Sequence, residues 1–338
     1  MNPKIRRLTM SRKTISMLGI MALLLLFAGS GQGADLNLRL GSPAPPNSEQ
    51  YNLAVKFTKN LEELSKGVIH TEVIGGGLLG DPKQTLAQLR AGKLDFWFMP
   101  IESPMFAKEC SEFFVFFAPF LFRDQQHYRR FLDSDVFKEM INGAEKKINI
   151  RYVGIIVDRA PRSLSTAKRP IASPDDMKGL KMRIPGLPFI AEVWKAWGAS
   201  PTPLKGSDIY QALQTGMVDG DDNGIVTLFE RGLMEILKYH TPINYVHSGL
   251  CIYVSGTTWK KLNDQQQAWA EKATVMVDQE QESYDQMMKR YYDKAKAKGT
   301  TIVEPDMGKF QEPVNEILAK FDGKFWPKGL YQKIHTMP

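Results

Sequence analysis

The sequence has few of the groups that metal binding and covalent catalysis use. Its 338 residues include two cysteines, Cys110 and Cys251, and five histidines that are scattered without the spacing of a metal site. Two cysteines cannot form a disulfide framework in a chain of this length, so we expect two buried free thiols, with a Cys110–Cys251 pair as the alternative. No nucleophile elbow, H-E-x-x-H helix or phosphate-binding loop occurs. We therefore expect no cofactor and no metal.

The excess of positive charge is confined to the N-terminus. The formal net charge is +7, but residues 1–33 hold five basic residues and no acidic one, which leaves +2 for the remainder. No basic stripe is left for phosphates, so we expect no nucleic-acid partner. The same segment continues with the apolar stretch ISMLGIMALLLLFAG and then with small residues. This order predicts a secretory signal peptide over residues 1–33, with an uncleaved membrane anchor as the alternative.

Three glycines match the dinucleotide-binding pattern G-x-G-x-x-G. Gly75, Gly77 and Gly80 lie between a predicted strand and a predicted helix, but on the second strand of the chain rather than the first. An exported protein also rarely meets free nicotinamide cofactors. Asp81 and Pro82 form a favourable helix start, because Asp accepts hydrogen bonds at the N-cap and Pro suits the first turn. We interpret the glycines as a turn between strand and helix.

Strands and helices are predicted in alternation along two halves of the chain. Apolar and β-branched runs predict strands at 36–42, 68–74, 94–100, 148–157, 180–186 and 247–256. Apolar residues at helical spacing predict helices between them, with Ser48 as the N-cap of one and Ser207 as the N-cap of another. The aromatic run at 111–122 is expected to pack mainly in the core. The alternation indicates an α/β fold with largely parallel sheets.

A long segment near the C-terminus has no helix-breaking residue. Residues 263–299 contain no proline and no glycine before the last position, and Asn263 or Asp264 is suited to the N-cap. One continuous helix of this length measures about 50 Å at about 1.5 Å per residue. We expect it to extend across both halves of the molecule and to connect them.

Two arginines lie where α/β folds place ligand-binding groups. Arg183 ends an apolar strand, and Pro185 and Gly186 follow in a turn. Arg162 precedes the second series of strands, at a predicted crossover between the halves. Arginine binds a carboxylate with two parallel hydrogen bonds from its planar guanidinium. The alternative for each is a surface ion pair that contributes little energy.

These residues belong to longer motifs with a family resemblance. Three motifs follow one another in a specific order and spacing: GGGLLGDPKQTLAQLRAGKLDF (75–96), KRPIASPDDMKGLKMRIPG (168–186) and SDIYQALQTGMVDGDDNGI (207–225). In these motifs the chain resembles the DctP-like solute-binding subunits of TRAP transporters, the tripartite ATP-independent periplasmic carriers of organic acids. The resemblance covers nearly all of the chain after residue 33.

The resemblance implies a fold and a function. The fold is a two-domain α/β periplasmic binding protein that closes like a clam shell, with a long helix spanning both domains. We expect domain I at 34–158 plus 249–286 and domain II at 159–248 plus 287–338. The implied function is that of a receptor, not an enzyme, which binds a small organic acid through its carboxylate in the periplasm. It then delivers the acid to the TRAP membrane permease subunits for uptake driven by an ion gradient.

The resemblance also implies the binding residues. Arg183 matches the main carboxylate partner of the family, and Arg162 matches an arginine that assists it. Asn223 matches an amide that hydrogen-bonds the ligand, and Asp222 stands where many members have glutamate. Gly186 replaces an amide residue of many members and removes that donor.

Trp97 or Met99 is a further candidate, since the apolar strand at 94–100 could place either side chain near the ligand. Such a neighbour favours a less polar solute, such as an aromatic or branched acid, whereas the alternative is that Trp97 packs in the core. Two other functions stay open. An exported enzyme would use Asp219, Asp221 or Asp222 for acid–base chemistry, and a solute-binding module would serve a sensor kinase instead of a permease.

Overall fold

The computed structural model describes residues 35–338, and the predicted signal peptide lies outside the described residues. Two β-sheets organise this part of the chain. The first sheet contains β1 (Leu36–Gly41), β2 (Ile69–Ile74), β3 (Phe96–Pro100), β4 (Ile150–Asp158) and β10 (Gly249–Ser255). Its spatial order is β2-β1-β3-β10-β4. Strands β1, β2 and β3 are parallel, and β10 runs antiparallel between β3 and β4.

The second sheet is formed by the later residues. It contains β5 (Arg162–Thr166), β6 (Lys181–Ile184), β7 (Ser200–Pro203), β8 (Gly220–Asp221), β9 (Tyr239–Val246) and β11 (Thr301–Ile302). The order is β11-β9-β5-β8-β6-β7, with β6, β7 and β8 parallel and β5 antiparallel to both of its neighbours. The predicted α/β class is thereby confirmed, but the expected largely parallel pairing is not, because within residues 35–338 five strand pairs are parallel and four are antiparallel.

Helices connect the strands and cover the sheets. They are α1 (Glu49–Leu64), α2 (Pro82–Arg90), α3 (Gln125–Asp133), α4 (Asp135–Ile148), α5 (Pro188–Ala196), α6 (Ile209–Gln214), α7 (Ile225–Glu230), α8 (Gly256–Trp259), α9 (Asp264–Gln279), α10 (Tyr284–Ala297), α11 (Met307–Phe321) and α12 (Leu330–His335). Within residues 35–338, none of these helices is both long and apolar enough to cross a bilayer.

The glycine-rich segment before α2 forms the predicted turn. It follows β2 directly, and Gly76, Gly77 and Gly80 adopt positive φ angles. Asp81 accepts a hydrogen bond from the backbone N–H of Gln84, whose side chain accepts one from the backbone N–H of Asp81. The positive φ angles explain the glycines of the turn, and this capping box explains why α2 begins directly after it.

The predicted single long helix over 263–299 is wrong. α9 ends at Gln279 and α10 begins at Tyr284, with a break between them. Ser283 causes the new start, because its side chain accepts from the backbone N–H of Gln286 and its own N–H donates to the Gln286 side chain. The two helices pack in different halves: α9 against α1 and β4, and α10 beside α7 and β11.

The other core predictions are largely confirmed. Cys110 and Cys251 are both free and buried. The aromatic run forms a 3-10 segment, Lys108–Phe117, whose Phe113, Phe116 and Phe117 side chains are buried. Ser207, however, does not cap a helix, since its hydroxyl donates to the neighbouring Asp208 side chain and the residues Gly206–Asp208 form a 3-10 turn.

Candidate functional site

A cavity of about 450 Å³ lies between the two sheets. Its walls follow the carboxyl ends of strands in both: Pro43–Pro45 come after β1, Glu102 after β3, Pro185–Leu187 after β6, and Lys205 and Gly206 after β7. Open α/β sheets bind ligands at this end of their strands. The volume falls in the range of about 300–1,000 Å³ that small-molecule sites occupy.

Cationic side chains predominate on the cavity wall. Six of them border it, against three carboxylates. The cations are Lys83, Arg159, Arg162, Arg183, Lys205 and Arg231, and the carboxylates are Asp81, Glu102 and Glu230. The cavity therefore has the electrostatic character of an anion site, with apolar side chains such as Met99, Phe117 and Leu187 completing the wall.

Arg183 reaches the cavity from the end of β6. Its Nε and Nη2 donate to the backbone carbonyl of Leu204 at 3.2 and 2.9 Å. Its Nη1 lies 3.3 Å from Asp221 and 3.4 Å from Asp222. Arginine carries five N–H donors, and these four contacts use up to four of them, so they fix the guanidinium and leave at least one donor unused. The side chain is 7% exposed, which makes its hydrogen bonds poorly screened by water.

Arg162 reaches the same cavity from the start of β5. Its Nε donates to Asp222 Oδ2 at 3.1 Å, and its Nη2 donates to Oδ1 of the same carboxylate. The Tyr245 hydroxyl donates to Asp222 Oδ2 at 2.6 Å. Burial acts to lower the pKa of the Arg162 guanidinium. The neighbouring groups, with Asp222 foremost, together raise this pKa by a larger amount, so the net shift is upward. Within residues 35–338, no hydrogen bond engages the Nη1 of Arg162, which keeps two donors available.

Asp222 and Asn223 lie behind the arginines rather than on the cavity wall. Asp222 is fully buried and joins Arg162, Arg183 and Tyr245. Asn223 donates from its side chain to Asp221 at 2.7 Å, and its backbone N–H approaches the same oxygen. Neither residue borders the cavity. In this structure Asp222 holds the two arginines that border the cavity, and Asn223 holds Asp221, which contacts Arg183.

The backbone around these acids explains their glycine neighbours. A Cβ at Gly220 would lie 2.4 Å from the carbonyl oxygen of Ser165, and one at Gly224 would lie 2.2 Å from that of Ala160. Both positions bring main chains into closer contact than any side chain permits. The sequence VDGDDNG thus packs the buried carboxylates between β5 and β6.

Trp97 does not border the arginine cavity. Its side chain is buried at 2% exposure and faces a separate gap of about 20 Å³ beside Ser42, Pro43 and Gly80. Trp97 and Met99 lie two residues apart and therefore share one face of β3, and both line this gap. Only Met99, which is closer to the carboxyl end of the strand, also borders the larger cavity. Of the two expected residues, Met99 thus reaches the cavity wall and Trp97 does not.

Seven of the nine charged residues on the cavity wall were not predicted as site residues from the sequence, among them Arg159, Glu102, Glu230 and Arg231. Arg159 follows β4 and Glu102 follows β3, so the strand-end argument used for Arg183 also applies to them. Glu230 and Arg231 lie at the end of the short helix α7, where no sequence pattern marks a site. These four side chains approach the arginine pair from other directions.

Burial shifts the proton affinities of this second group. It raises the pKa of Glu102, although Arg159 and a 2.7 Å hydrogen bond from Ser248 act in the opposite direction. Burial also raises the pKa of Glu230 to about 7, despite a 2.9 Å hydrogen bond from the backbone N–H of Gln50. The cavity can therefore take up a proton near neutral pH.

The acid-rich turn offers no free acid–base pair to the cavity. Asp219 pairs with Lys168 at 2.6 Å and accepts from the backbone N–H of Lys181. Asp221 and Asp222 are both fully buried in the contacts described above. None of the three borders the cavity. Among residues 35–338, no group of three or more histidine, cysteine or acidic side chains is arranged to hold a metal.

Comparisons with known proteins agree with this geometry. A family model described as bacterial extracellular solute-binding protein, family 7, matches residues 40–324. The sialic acid-binding periplasmic protein SiaP of Vibrio cholerae is 29% identical over 321 residues, covering 92% of this chain and 95% of that protein.

Solved structures give the same result. A TRAP periplasmic solute-binding protein of Roseobacter denitrificans, with bound L-galactonate, is 26% identical with a TM-score of 0.77, covering 85% of this chain and 94% of that one. A TRAP periplasmic solute-binding protein of Pseudomonas putida F1, with bound D-glucuronate, is 25% identical with a TM-score of 0.79, covering 89% and 97%. The chain therefore belongs to the bacterial extracellular solute-binding proteins of family 7, the TRAP transporter receptors that its sequence motifs resemble.

Proposed function

We propose that the cavity binds a small hydroxylated organic acid whose carboxylate docks on Arg183 and Arg162. The observation that carries this proposal is the arrangement of the two guanidinium groups. Both border one cavity, both are held from behind by buried carboxylates, and each keeps at least one N–H group unused. Such an arrangement is organised before the solute arrives, which lowers the entropic cost of binding.

The buried acids set the strength of the site. Without Asp221 and Asp222, two guanidinium groups would lie close together with little water, and their repulsion would oppose the fold. With both acids present, the cluster of two arginines and two aspartates is neutral, and a solute carboxylate adds charge-assisted hydrogen bonds to oriented donors. In this proposal Asp222 and Asn223 position the arginines, and Trp97 contributes to packing.

The remaining polar groups favour a hydroxylated solute. Glu102 offers carboxylate oxygens, while Gln50, Ser103 and Thr227 offer donors and acceptors on the same wall. Glu102 and Ser103 are buried, whereas Gln50 and Thr227 are half-buried. A purely apolar acid that displaced water from these groups would not satisfy their remaining hydrogen-bonding capacity, which costs free energy. The bound ligands of the two solved relatives, L-galactonate and D-glucuronate, carry hydroxyl groups beside one carboxylate.

Closure of two domains would complete the binding. We propose domain I at 34–158 plus 249–286 and domain II at 159–248 plus 287–338, with the cavity between them. A solute that contacts both walls stabilises the closed form, because the open form lacks half of those contacts. The closed receptor would present the solute in the periplasm to the membrane permease subunits, and its own chemistry would be binding without turnover.

A thermal-shift screen tests the proposal. The panel contains D-gluconate, L-galactonate, D-glucuronate, lactate, 2-oxoisovalerate and benzoate, with D-glucose as the uncharged control. Ligands that bind the folded state raise the melting temperature by mass action. We expect a shift with a hydroxylated acid, none with D-glucose, and unchanged acid on recovery by mass spectrometry. A shift only with benzoate or 2-oxoisovalerate would overturn the hydroxylated class, and consumption of the acid would indicate an enzyme.

A further inference from the structure

Arg183 and Arg231 are held by the same short loop. The carbonyl of Leu204 accepts from Arg183, and the carbonyl of Gly206, two residues later, accepts from Arg231 Nη1 at 2.6 Å. The two arginines come from different elements, the end of β6 and the end of α7. The loop after β7 therefore brings a third guanidinium to the wall that holds the predicted carboxylate site.

Gly206 makes room for this third guanidinium. A Cβ at position 206 would lie 2.7 Å from Arg231 Nη1, 3.0 Å from Nη2 and 3.1 Å from Cζ. The guanidinium thus lies flat against the glycine Cα, and any side chain at this position would displace it. Because the clash involves the end of a flexible side chain and the glycine φ is ordinary, alanine here should move Arg231 without disturbing the backbone.

Arg231 differs from Arg162 and Arg183 in its partners. Within the described part of the chain, no carboxylate forms an ion pair with it, and only one of its five N–H groups has an assigned acceptor. Burial lowers the pKa of its guanidinium; the charges of Arg183 and Arg162 act in the same direction, and those of Asp221 and Glu230 act in the opposite direction. Arg231 is thus a half-buried cation that faces a cavity, and an anionic group there would compensate it.

We infer that Arg231, seated on Gly206, is a specificity-determining residue that binds a second acidic group of the solute. This inference rests on the proposed function, in which Arg183 and Arg162 take the first carboxylate. The preferred solutes are then diacids with hydroxyl groups between their ends. Glu230, next to Arg231, lies on the same wall and would take up a proton when a dianion binds.

Matched acids of equal chain length test the inference. Binding of D-glucarate is compared with binding of D-gluconate, and succinate with butanoate, by isothermal titration calorimetry. The wild type is expected to bind at least one diacid about tenfold or more tightly than its matched monoacid, as a desolvated charge contact would give. If no diacid is preferred, including the case in which none of the four acids binds, the inference is wrong.

Two variants then locate the preference. Arg231→Gln is expected to reduce the diacid preference to within about threefold while D-gluconate affinity changes little, since only the second contact is lost. Gly206→Ala, which keeps every charge and displaces the guanidinium, is expected to reduce the preference as well. Lys195→Gln, an exposed charge change outside the cavity, is the control and should preserve it. Circular dichroism confirms that each variant is folded.

The two proposals fail in different ways. If Arg231→Gln weakens binding of the diacid and of its matched monoacid equally, or if Gly206→Ala preserves the preference for the diacid, Arg231 does not bind the second acidic group. If instead Arg183→Ala leaves D-gluconate binding unchanged, the proposed carboxylate site itself is wrong.

Discussion

The carboxylate of Asp222 holds the guanidinium of Arg162 through two buried hydrogen bonds. Asp222 is fully buried, and the Arg162 side chain is 10% exposed. The same carboxylate accepts from Tyr245, whose pKa burial raises, so that the phenol remains a donor. Asp222 thus orients Arg162 and, together with Asp221, balances the charge of Arg162 and Arg183.

Replacing Asp222 by asparagine is expected to destabilise the protein. The amide supplies one acceptor and faces donors with its own N–H groups, while Arg162 and Arg183 stay buried with less compensation. Breaking a buried ion pair on one side costs about 3–5 kcal/mol. Urea unfolding followed by circular dichroism measures the loss. Asp175→Asn is the matched control, because its pair with Lys309 is exposed and should change stability by about 0.5 kcal/mol or less. Equal effects of the two substitutions would contradict the structural role of Asp222.

The stability of the protein should depend on Glu230 and on pH. Burial raises its pKa from 4.5 to about 7, so the folded state binds this proton more tightly than the unfolded chain does. The contribution of protonated Glu230 to the free energy of unfolding is therefore fully present below pH 4.5, and it is lost as the pH rises through about 7.

Glu230→Gln removes this dependence. At pH 8 the variant should be more stable than the wild type by about 3 kcal/mol, the free energy that corresponds to a pKa raised from 4.5 to about 7, and at pH 4.5 the difference should nearly vanish. Chemical unfolding at the two pH values gives the comparison. The same difference at both pH values would mean that Glu230 titrates as an ordinary surface carboxylate.

The two thiols should be unreactive in the folded protein. Burial raises the pKa of Cys110 to about 11 and also raises that of Cys251, so neither forms a thiolate near neutral pH. We expect no reaction with Ellman's reagent at pH 8 in buffer and two equivalents in guanidinium chloride without reductant. A sample that yields thiols in denaturant only after reduction would contain the Cys110–Cys251 disulfide.

Ser283 should stabilise the start of α10. Its capping box satisfies backbone N–H groups that the helix cannot satisfy itself, and loss of such a cap costs about 1 kcal/mol. Ser283→Ala is compared with Ser207→Ala, since Ser207 is exposed and caps no helix. The second substitution should change the free energy of unfolding by less than about 0.5 kcal/mol. If the two variants are equally stable, the break in the long segment has another cause.

Much of the fold follows from local sequence patterns. The alternation of apolar runs and helical stripes predicted β1, β2, β3 and β10 to within two residues, because burial and strand geometry impose a period that the sequence must obey. The break at Ser283 carried a readable signal, Ser283 followed three residues later by Gln286, inside a stretch otherwise suited to helix. The absence of glycine and proline was a weaker guide than this capping pattern.

The candidate site could be predicted only in part. The end of a strand can be recognised in the sequence, and on this basis Arg183 was predicted at a binding site. In the structure Arg183 borders the cavity. Arg231 and Glu230 reach it through the packing of α7, and no local pattern encodes that long-range contact. The strand of Trp97 and Met99 could be located from the sequence, but the depth of each side chain could not. The two share one face, and Met99 borders the cavity because it lies nearer the carboxyl end of the strand.

Calorimetric titration of Arg183→Ala tests the central claim most directly. The titrant is the acid that gives the largest thermal shift in the panel above, and Arg183→Lys is measured beside it because a point charge cannot reproduce the planar donor pair. We predict that Arg183→Ala weakens binding by tens- to thousands-fold, corresponding to about 2–5 kcal/mol for loss of a desolvated charge partner, with the fold retained. An affinity within about threefold of the wild type in the folded variant would contradict a carboxylate site at Arg183.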